Sequence, residues 1–322
     1  MSGGAAGTAP IGGSNSDDQS GSGGASGSSG AGGSSGAASA GASGAAAYEP
    51  ISFGTQLEPA AQMLESRRLA SELANPGAAS WRAKGDQHRT YHFAEAQADI
   101  PYRLCVPSDW DGTSELPLVM FLHGANNDES SYLDQNDQQM VRLAAEHGYV
   151  LVSPLGYEGA YGTFLRLPAV FGEEAEAEKL LAKRTPADER KQELSEKDVI
   201  NVLELVLQEY PIARSKVFLT GHSMGSGGTW YIGAKYSTYF AALAPMSGPF
   251  VLEHGYPWPN LRGTPLLVTE GLGAATVAGS RALHDWLQGQ GFLVTYEEVQ
   301  ADHAAMVPLV LPRVFSFFDL AN

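Results

Sequence analysis

From residue 88 onward the chain switches between two hydrophobic periods. Arg89-Thr90-Tyr91-His92-Phe93 and Ile100-Pro101-Tyr102-Arg103-Leu104 read as an antiparallel opening pair of strands. Leu116-Pro117-Leu118-Val119-Met120-Phe121-Leu122 and Tyr149-Val150-Leu151-Val152 are continuously apolar, the pattern of strands covered on both faces. Between them Met140, Val141, Leu143 and Ala144 recur at helical spacing, which predicts a helix over residues 136–147 stopped by Gly148. Val199, Val202, Leu203, Val206 and Leu207 form a second helical stripe, and Ser195-Glu196-Lys197-Asp198 predicts its start, with the serine as cap. Further strands are expected over residues 216–220, 241–246, 265–269 and 292–296, and further helices over 280–290 and 308–320. Strands alternating with helices predict the α/β class: a mostly parallel sheet of about eight strands with helices on both faces.

Composition changes that picture at the N-terminus. Residues 1–47 are almost wholly Gly, Ser and Ala, with no aromatic residue and only Asp17 and Asp18 charged. Such a stretch buries too little apolar surface to offset its conformational entropy, so a disordered linker is expected. Residues 48–87 read as an N-terminal extension, partly helical near Leu57, and residues 88–322 as the folded domain. Residues 156–194 are polar and acidic and longer than an ordinary connection, which predicts an insertion, partly helical, that could act as a lid.

The net charge is −16 and basic residues come in pairs at most, which argues against a nucleic-acid partner. Cys105 is the single cysteine, so an internal disulfide and a multi-thiolate metal site are excluded. Metal and nucleotide motifs are absent, no cofactor is expected, and no apolar run reaches membrane-spanning length. The Gly/Ser/Ala leader has the composition of tethers that follow cleaved export signals. The hypothesis is a secreted or surface-tethered protein, with a lipid-anchored precursor as one form, in which Met1 replaces a removed signal; a genomic cytosolic start at Met1 would refute it.

The candidate chemistry sits where strand 216–220 runs into Gly221-His222-Ser223-Met224-Gly225 and then a small-residue helix. Strand, tight turn and helix with a serine at the tip make a nucleophile elbow, in which the serine hydroxyl is held exposed in a strained conformation. The five-residue pattern alone is weak, since Gly32-Gly33-Ser34-Ser35-Gly36 also matches it inside the linker. A serine needs a base, and His303 is the best placed of the eight histidines because it follows the last strand. Loops leaving the C-terminal ends of parallel strands share one face, so His303 and Ser223 can meet. His222 reads as packing. The oxyanion of an acyl-transfer intermediate requires two backbone N–H groups, and Met224 and Ala125, the latter in His123-Gly124-Ala125-Asn126, are the candidates.

Phe121-Leu122-His123-Gly124, then Val217 to Gly225, then Phe240-Ala241-Ala242-Leu243-Ala244-Pro245 and finally Asp302-His303 follow one another in a familiar order. Over roughly residues 88–320 the chain resembles α/β-hydrolase serine esterases of the polyhydroxybutyrate-depolymerase and feruloyl-esterase type. The resemblance implies a cofactor-free serine carboxylic-ester hydrolase, often exported, acting on small aryl esters, polyesters or plant-wall feruloyl and acetyl esters. It also implies an acid in Gly-x-x-Asp-x-x-Val after strand 265–269, yet here the segment reads Gly271-Leu272-Gly273-Ala274-Ala275-Thr276-Val277. Ala274 stands where the aspartate is expected. Three explanations stay open: an inactivating substitution, a different carboxylate with Glu270 nearest and Asp302 a weaker stand-in, or a degenerate relative. Two other readings compete with an esterase, a serine peptidase of prolyl-oligopeptidase type and a tethered binding module without turnover. Trp230 and Tyr157, with Tyr161 and Phe164, are candidates to line an aromatic acyl site.

Overall fold

The computed structural model describes residues 81–157, 161 and 170–321. The linker over residues 1–47, most of the 48–87 extension and Phe164 lie outside the described residues. The order of elements is β1 (Gly85–Phe93), β2 (Ala98–Val106), β3 (Leu116–Leu122), α1 (Gln135–Glu146), β4 (Val150–Pro154), α2 (Glu174–Leu181) and α3 (Pro186–Glu209). Then follow β5 (Ile212–His222), α4 (Met224–Lys235), β6 (Ala242–Met246), β7 (Leu266–Gly271), α5 (Val277–Gly289), β8 (Val294–Val299) and α6 (Val307–Leu320).

The strands form one eight-stranded sheet in the order β1-β2-β4-β3-β5-β6-β7-β8. β1 pairs antiparallel with β2, and β2 antiparallel with β4, whereas all other neighbours are parallel. Alternation along β3 explains the layers: Leu118, Met120 and Leu122 join the core beneath α3, α4 and α5, while Val119 and Phe121 join the core beneath α1 and α6. Phe218 of β5 and Phe318 of α6 stack at 4.7 Å and 16° across that second layer. Both faces of the central strands are covered, which is why they read as unbroken apolar runs.

The chain leaves β3 toward β4 on one side and then crosses back over β3 to β5. The loops after β3 and β5 therefore diverge, opening a crevice at the C-terminal edge of the sheet, where ligands bind in open α/β sheets.

Several elements differ from the sequence expectation. Helix α3 starts at Pro186, not at Ser195: Thr185 caps it, with a reciprocal capping box to Asp188 and proline in the first turn. Ser195 and Asp198 are instead buried in mid-helix. Asp198 accepts hydrogen bonds from the Tyr91 hydroxyl (2.6 Å) and the Tyr157 N–H (2.8 Å), and burial pushes its carboxyl up to about 6. Helix α1 opens with Asn136, Asp137 and Gln138 at φ of 51°, 53° and 57°, so the regular turns begin only after this left-handed stretch. Strand β1 also begins three residues before the expected domain boundary, at Gly85.

Candidate active site

Ser223 sits between β5 and α4 with φ 58° and ψ −116°. A side-chain-bearing residue there costs on the order of 1–3 kcal/mol, retained only where the surroundings over-determine it. The surroundings are two glycines pressed against β3. A Cβ on Gly225 would lie 1.9 Å from the Leu122 carbonyl oxygen, and one on Gly221 would lie 2.4 Å from the Gly225 carbonyl oxygen and 2.8 Å from that of Leu122. The Ser223 N–H donates to the Met246 carbonyl at 3.0 Å, and the Ser226 hydroxyl to the Gly248 carbonyl at 2.7 Å, so the end of β6 holds the elbow from the other side.

The His303 ring meets this serine from the loop between β8 and α6. Its Nε2 lies 2.9 Å from Ser223 Oγ, and its Nδ1 lies 2.6 Å from Ser247 Oγ. Ser247 is the residue directly after β6, is 1 % exposed, and has φ 48°. Its hydroxyl donates to Glu270 Oε1. Glu270 is fully buried near the end of β7 and also accepts from the Gly271 N–H (3.1 Å), Thr276 Oγ1 (3.0 Å) and Ser280 Oγ (2.7 Å). Four donors therefore surround this carboxylate.

Other predicted residues fall in different places. Ala274 is buried in the turn after β7, where its N–H donates to the Gly271 carbonyl, and Gly273 beside it is tied to the His303 loop through the Ala301 carbonyl at 2.9 Å. The Asp302 carboxylate is turned away into its own loop, accepting from the Ala304 and Ala305 N–H groups at 3.0 and 2.8 Å. Trp230 is not on an open acyl site: it is fully enclosed within α4, its ring against Trp258 and its carbonyl bonded by the Tyr256 hydroxyl. Helix α4 faces the core on every side along most of its length, so its aromatics pack rather than line a cleft. Tyr157 has its ring edge-on to Phe93 of β1 and its N–H on Asp198, both anchoring contacts. Tyr161 is buried, and its hydroxyl accepts the His123 N–H at 3.0 Å.

Met224 opens α4, so its N–H is one of the first-turn donors without an intrahelical acceptor. Ala125 lies in the loop after β3, followed by Asn126 at φ 62°. That loop is braced by His123, whose ring nitrogens face the Gly124 and Leu155 carbonyls at 2.9 Å each.

His222 does more than pack. Its Nε2 lies 2.7 Å from the His303 carbonyl oxygen and its Nδ1 2.6 Å from the Tyr132 hydroxyl. A carbonyl only accepts, so Nε2 carries the hydrogen and Nδ1 accepts from Tyr132. Tyr132 belongs to the loop after β3, its oxygen 2.5 Å from where a Cβ on Gly124 would lie. One hydrogen-bonded chain thus connects the loop after β3 with the backbone of His303. Burial, and then the neighbouring His303 ring, lower the His222 pKa to about 4. A histidine held neutral in the fold but titrating near 6.5 when unfolded takes up its proton preferentially in the unfolded chain. Its contribution is therefore fully present above pH 6.5 and is lost as pH falls toward 4, by about 3 kcal/mol. The check is urea unfolding at pH 7 and pH 4 of the native chain and His222→Gln. The substitution should shrink the pH-dependent loss by about that amount, and equal losses in both would contradict the assignment; taking the difference cancels Asp198, whose raised pKa acts in the opposite direction.

Among the described residues no group of three or more His, Cys, Asp or Glu side chains could hold a metal ion, and no helix is long and apolar enough to cross a membrane.

No protein-family model matches the sequence, and no curated protein matches it. Solved structures do match in shape. The S-formylglutathione hydrolase of Staphylococcus aureus superposes with a TM-score of 0.55 at 20% identity, over 75% of this chain and 98% of that one. The fluorophosphonate-binding serine hydrolase F of Staphylococcus aureus gives 0.57 at 18% identity, over 74% and 100%. A CE1 ferulic acid esterase of Anaeromyces mucronatus gives 0.50 at 20% identity, over 76% and 96%. Shape, strand order and the strained turn after β5 agree: the chain has the α/β-hydrolase fold.

Proposed function

We propose that the protein hydrolyses carboxylic esters through an acyl-enzyme on Ser223. The observation that carries this reading is the 2.9 Å contact between Ser223 Oγ and His303 Nε2 at a strained strand-to-helix turn. The Ser223 hydrogen passes to Nε2 as Oγ attacks the ester carbonyl, and the carbonyl oxygen takes the negative charge. The N–H groups of Met224 and Ala125 receive that oxyanion, each worth about 3 kcal/mol in the transition state by analogy with a single oxyanion donor. The imidazolium returns its proton to the leaving alkoxide, which departs as the alcohol. Water then gives a proton to Nε2 as it attacks the acyl carbonyl; the tetrahedral adduct collapses, and the proton restores the Ser223 hydroxyl.

The neighbours in shape are described as a ferulic acid esterase, an S-formylglutathione hydrolase and a serine hydrolase, which supports acyl transfer to water as the reaction class. The substrate is an ester, small or polymeric, and no cofactor enters the mechanism. Export to the cell surface on the Gly/Ser/Ala leader belongs to the same proposal.

Purified protein should release p-nitrophenol from p-nitrophenyl acetate with saturation kinetics and leave an aminoacyl-p-nitroanilide untouched. Preference for the anilide would favour a peptidase. Folded protein without turnover on either substrate would favour a binding module.

A further inference from the structure

The acyl-transfer reading leaves a question at Nδ1 of His303, where a histidine base needs a partner that fixes its tautomer and supports its positive charge. Among the described residues no carboxylate is bonded to that nitrogen; a serine hydroxyl is, at 2.6 Å. Resting on that reading of Ser223 and His303, we infer that Ser247 is the positioning residue of the base and that Glu270 acts on His303 through it.

With Glu270 as a carboxylate, which only accepts, counting hydrogens decides the direction of every bond. A hydroxyl has one hydrogen. The four groups around Glu270 include the Gly271 N–H, which can only donate, and three hydroxyls. The Ser247 hydrogen points to Glu270 Oε1, so only its lone pairs remain for His303. Nδ1 must then carry a hydrogen and donate it to Ser247 Oγ, which leaves Nε2 with its lone pair aimed at the Ser223 hydroxyl. The result is the tautomer a general base requires. When His303 takes the Ser223 proton, the added charge strengthens the Nδ1–H bond to Ser247, and the Ser247 hydrogen bond to Glu270 tightens with it. No proton leaves Ser247 or Glu270 in this scheme.

The backbone shows that Ser247 is placed rather than incidental. It is held at φ 48°, a region unfavourable to a residue with a Cβ, by its N–H on the Thr269 carbonyl at 2.9 Å. The same stretch anchors the elbow through the carbonyls of Met246 and Gly248. On this account Ala274 is not a vacated acid position, because Nδ1 already has its partner.

Ser247→Gly removes the hydroxyl and suits the positive φ, so the fold is retained; Glu270→Gln keeps the shape and removes the charge. Both are measured with p-nitrophenyl acetate, with folding checked by thermal melting. Each should lower kcat by about a thousandfold, with KM changed less than about threefold. The double variant should be no slower than the slower single one, since both act through one ring. Glu270→Gln should also move the acid limb of the kcat/KM profile to lower pH by about half a unit or more, because the imidazolium loses its counter-charge. The other groups around the ring are present in both proteins: His222, whose ring centroid is 4.6 Å away, and Ser223, while the Asp302 carboxylate is held in its own loop by the Ala304 and Ala305 N–H groups. Ala274→Asp should bring no large gain. A folded Ser247→Gly within threefold of the native rate, additive losses in the double variant, an unmoved acid limb, or a hundredfold gain in Ala274→Asp would each overturn the inference. If the native chain shows no esterase activity at all, it is the acyl-transfer reading that has failed.

Discussion

Ser223→Ala is expected to lower kcat on an activated ester by about a millionfold while leaving the melting temperature essentially unchanged. Alanine fits the same backbone position as serine, and Ser223 Oγ contributes its 2.9 Å contact to His303 rather than to any packing of the core. Removing it takes away the nucleophile but leaves the first-turn N–H of Met224 and the braced loop at Ala125 in place. Residual rate over water of about 10³–10⁴ should survive through those donors and binding. His303→Ala should lose a similar amount, and the double variant no more than either alone, because the serine without its base and the base without its serine are equally idle. Initial-rate kinetics on purified, folded variants check all three. More than about one per cent of native kcat in Ser223→Ala would mean the chemistry lies elsewhere.

The second large effect concerns stability. Gly225→Ala should cost about 4 kcal/mol or more and lower the melting temperature by about 10 °C. A Cβ at that position would lie 1.9 Å from the Leu122 carbonyl oxygen, 2.5 Å from the Leu122 carbonyl carbon and 2.9 Å from the His123 carbonyl oxygen. All three are backbone atoms at the end of β3, so no side-chain rotation relieves the clash. The sheet must separate where β3 and β5 pair, from Leu118 with Val217 to Leu122 with Gly221. Gly289→Ala is the control: a Cβ there meets nothing within 4 Å at the end of α5, and alanine suits a helix better than glycine. Equal melting temperatures for the two variants would refute the close approach of elbow and β3.

What the sequence reveals about this fold follows the range of the interactions. The central strands are visible because burial on both faces leaves continuous apolar runs, as in β3. The elbow is visible because its constraint is local: two glycines must flank the serine whatever the rest of the molecule does. Ser247 is invisible for the opposite reason. Its placement depends on β6 ending beside β7, a pairing set by residues far apart in sequence, and nothing in Met246-Ser247-Gly248 announces it. Glu270 is nearest to the expected acid in sequence, yet its link to His303 runs through that unannounced serine. Asp198 shows how a local pattern misleads. Ser195 to Asp198 fits a helix start, but the aspartate is buried against Tyr91 and Tyr157, and the true start at Thr185-Pro186 lies inside a stretch that reads as a solvated insertion. Trp230 misleads similarly, since an aromatic shortly after a nucleophile elbow suggests a cleft wall until all faces of α4 prove covered.

The central claim is that Ser223, activated by His303, is the nucleophile. The most direct measurement is reaction of the native, folded chain with a fluorophosphonate followed by peptide mapping by mass spectrometry. The account predicts a single adduct, on Ser223, with the rate of labelling greatly reduced in His303→Ala. An adduct on another residue, or none on the folded protein, would contradict it.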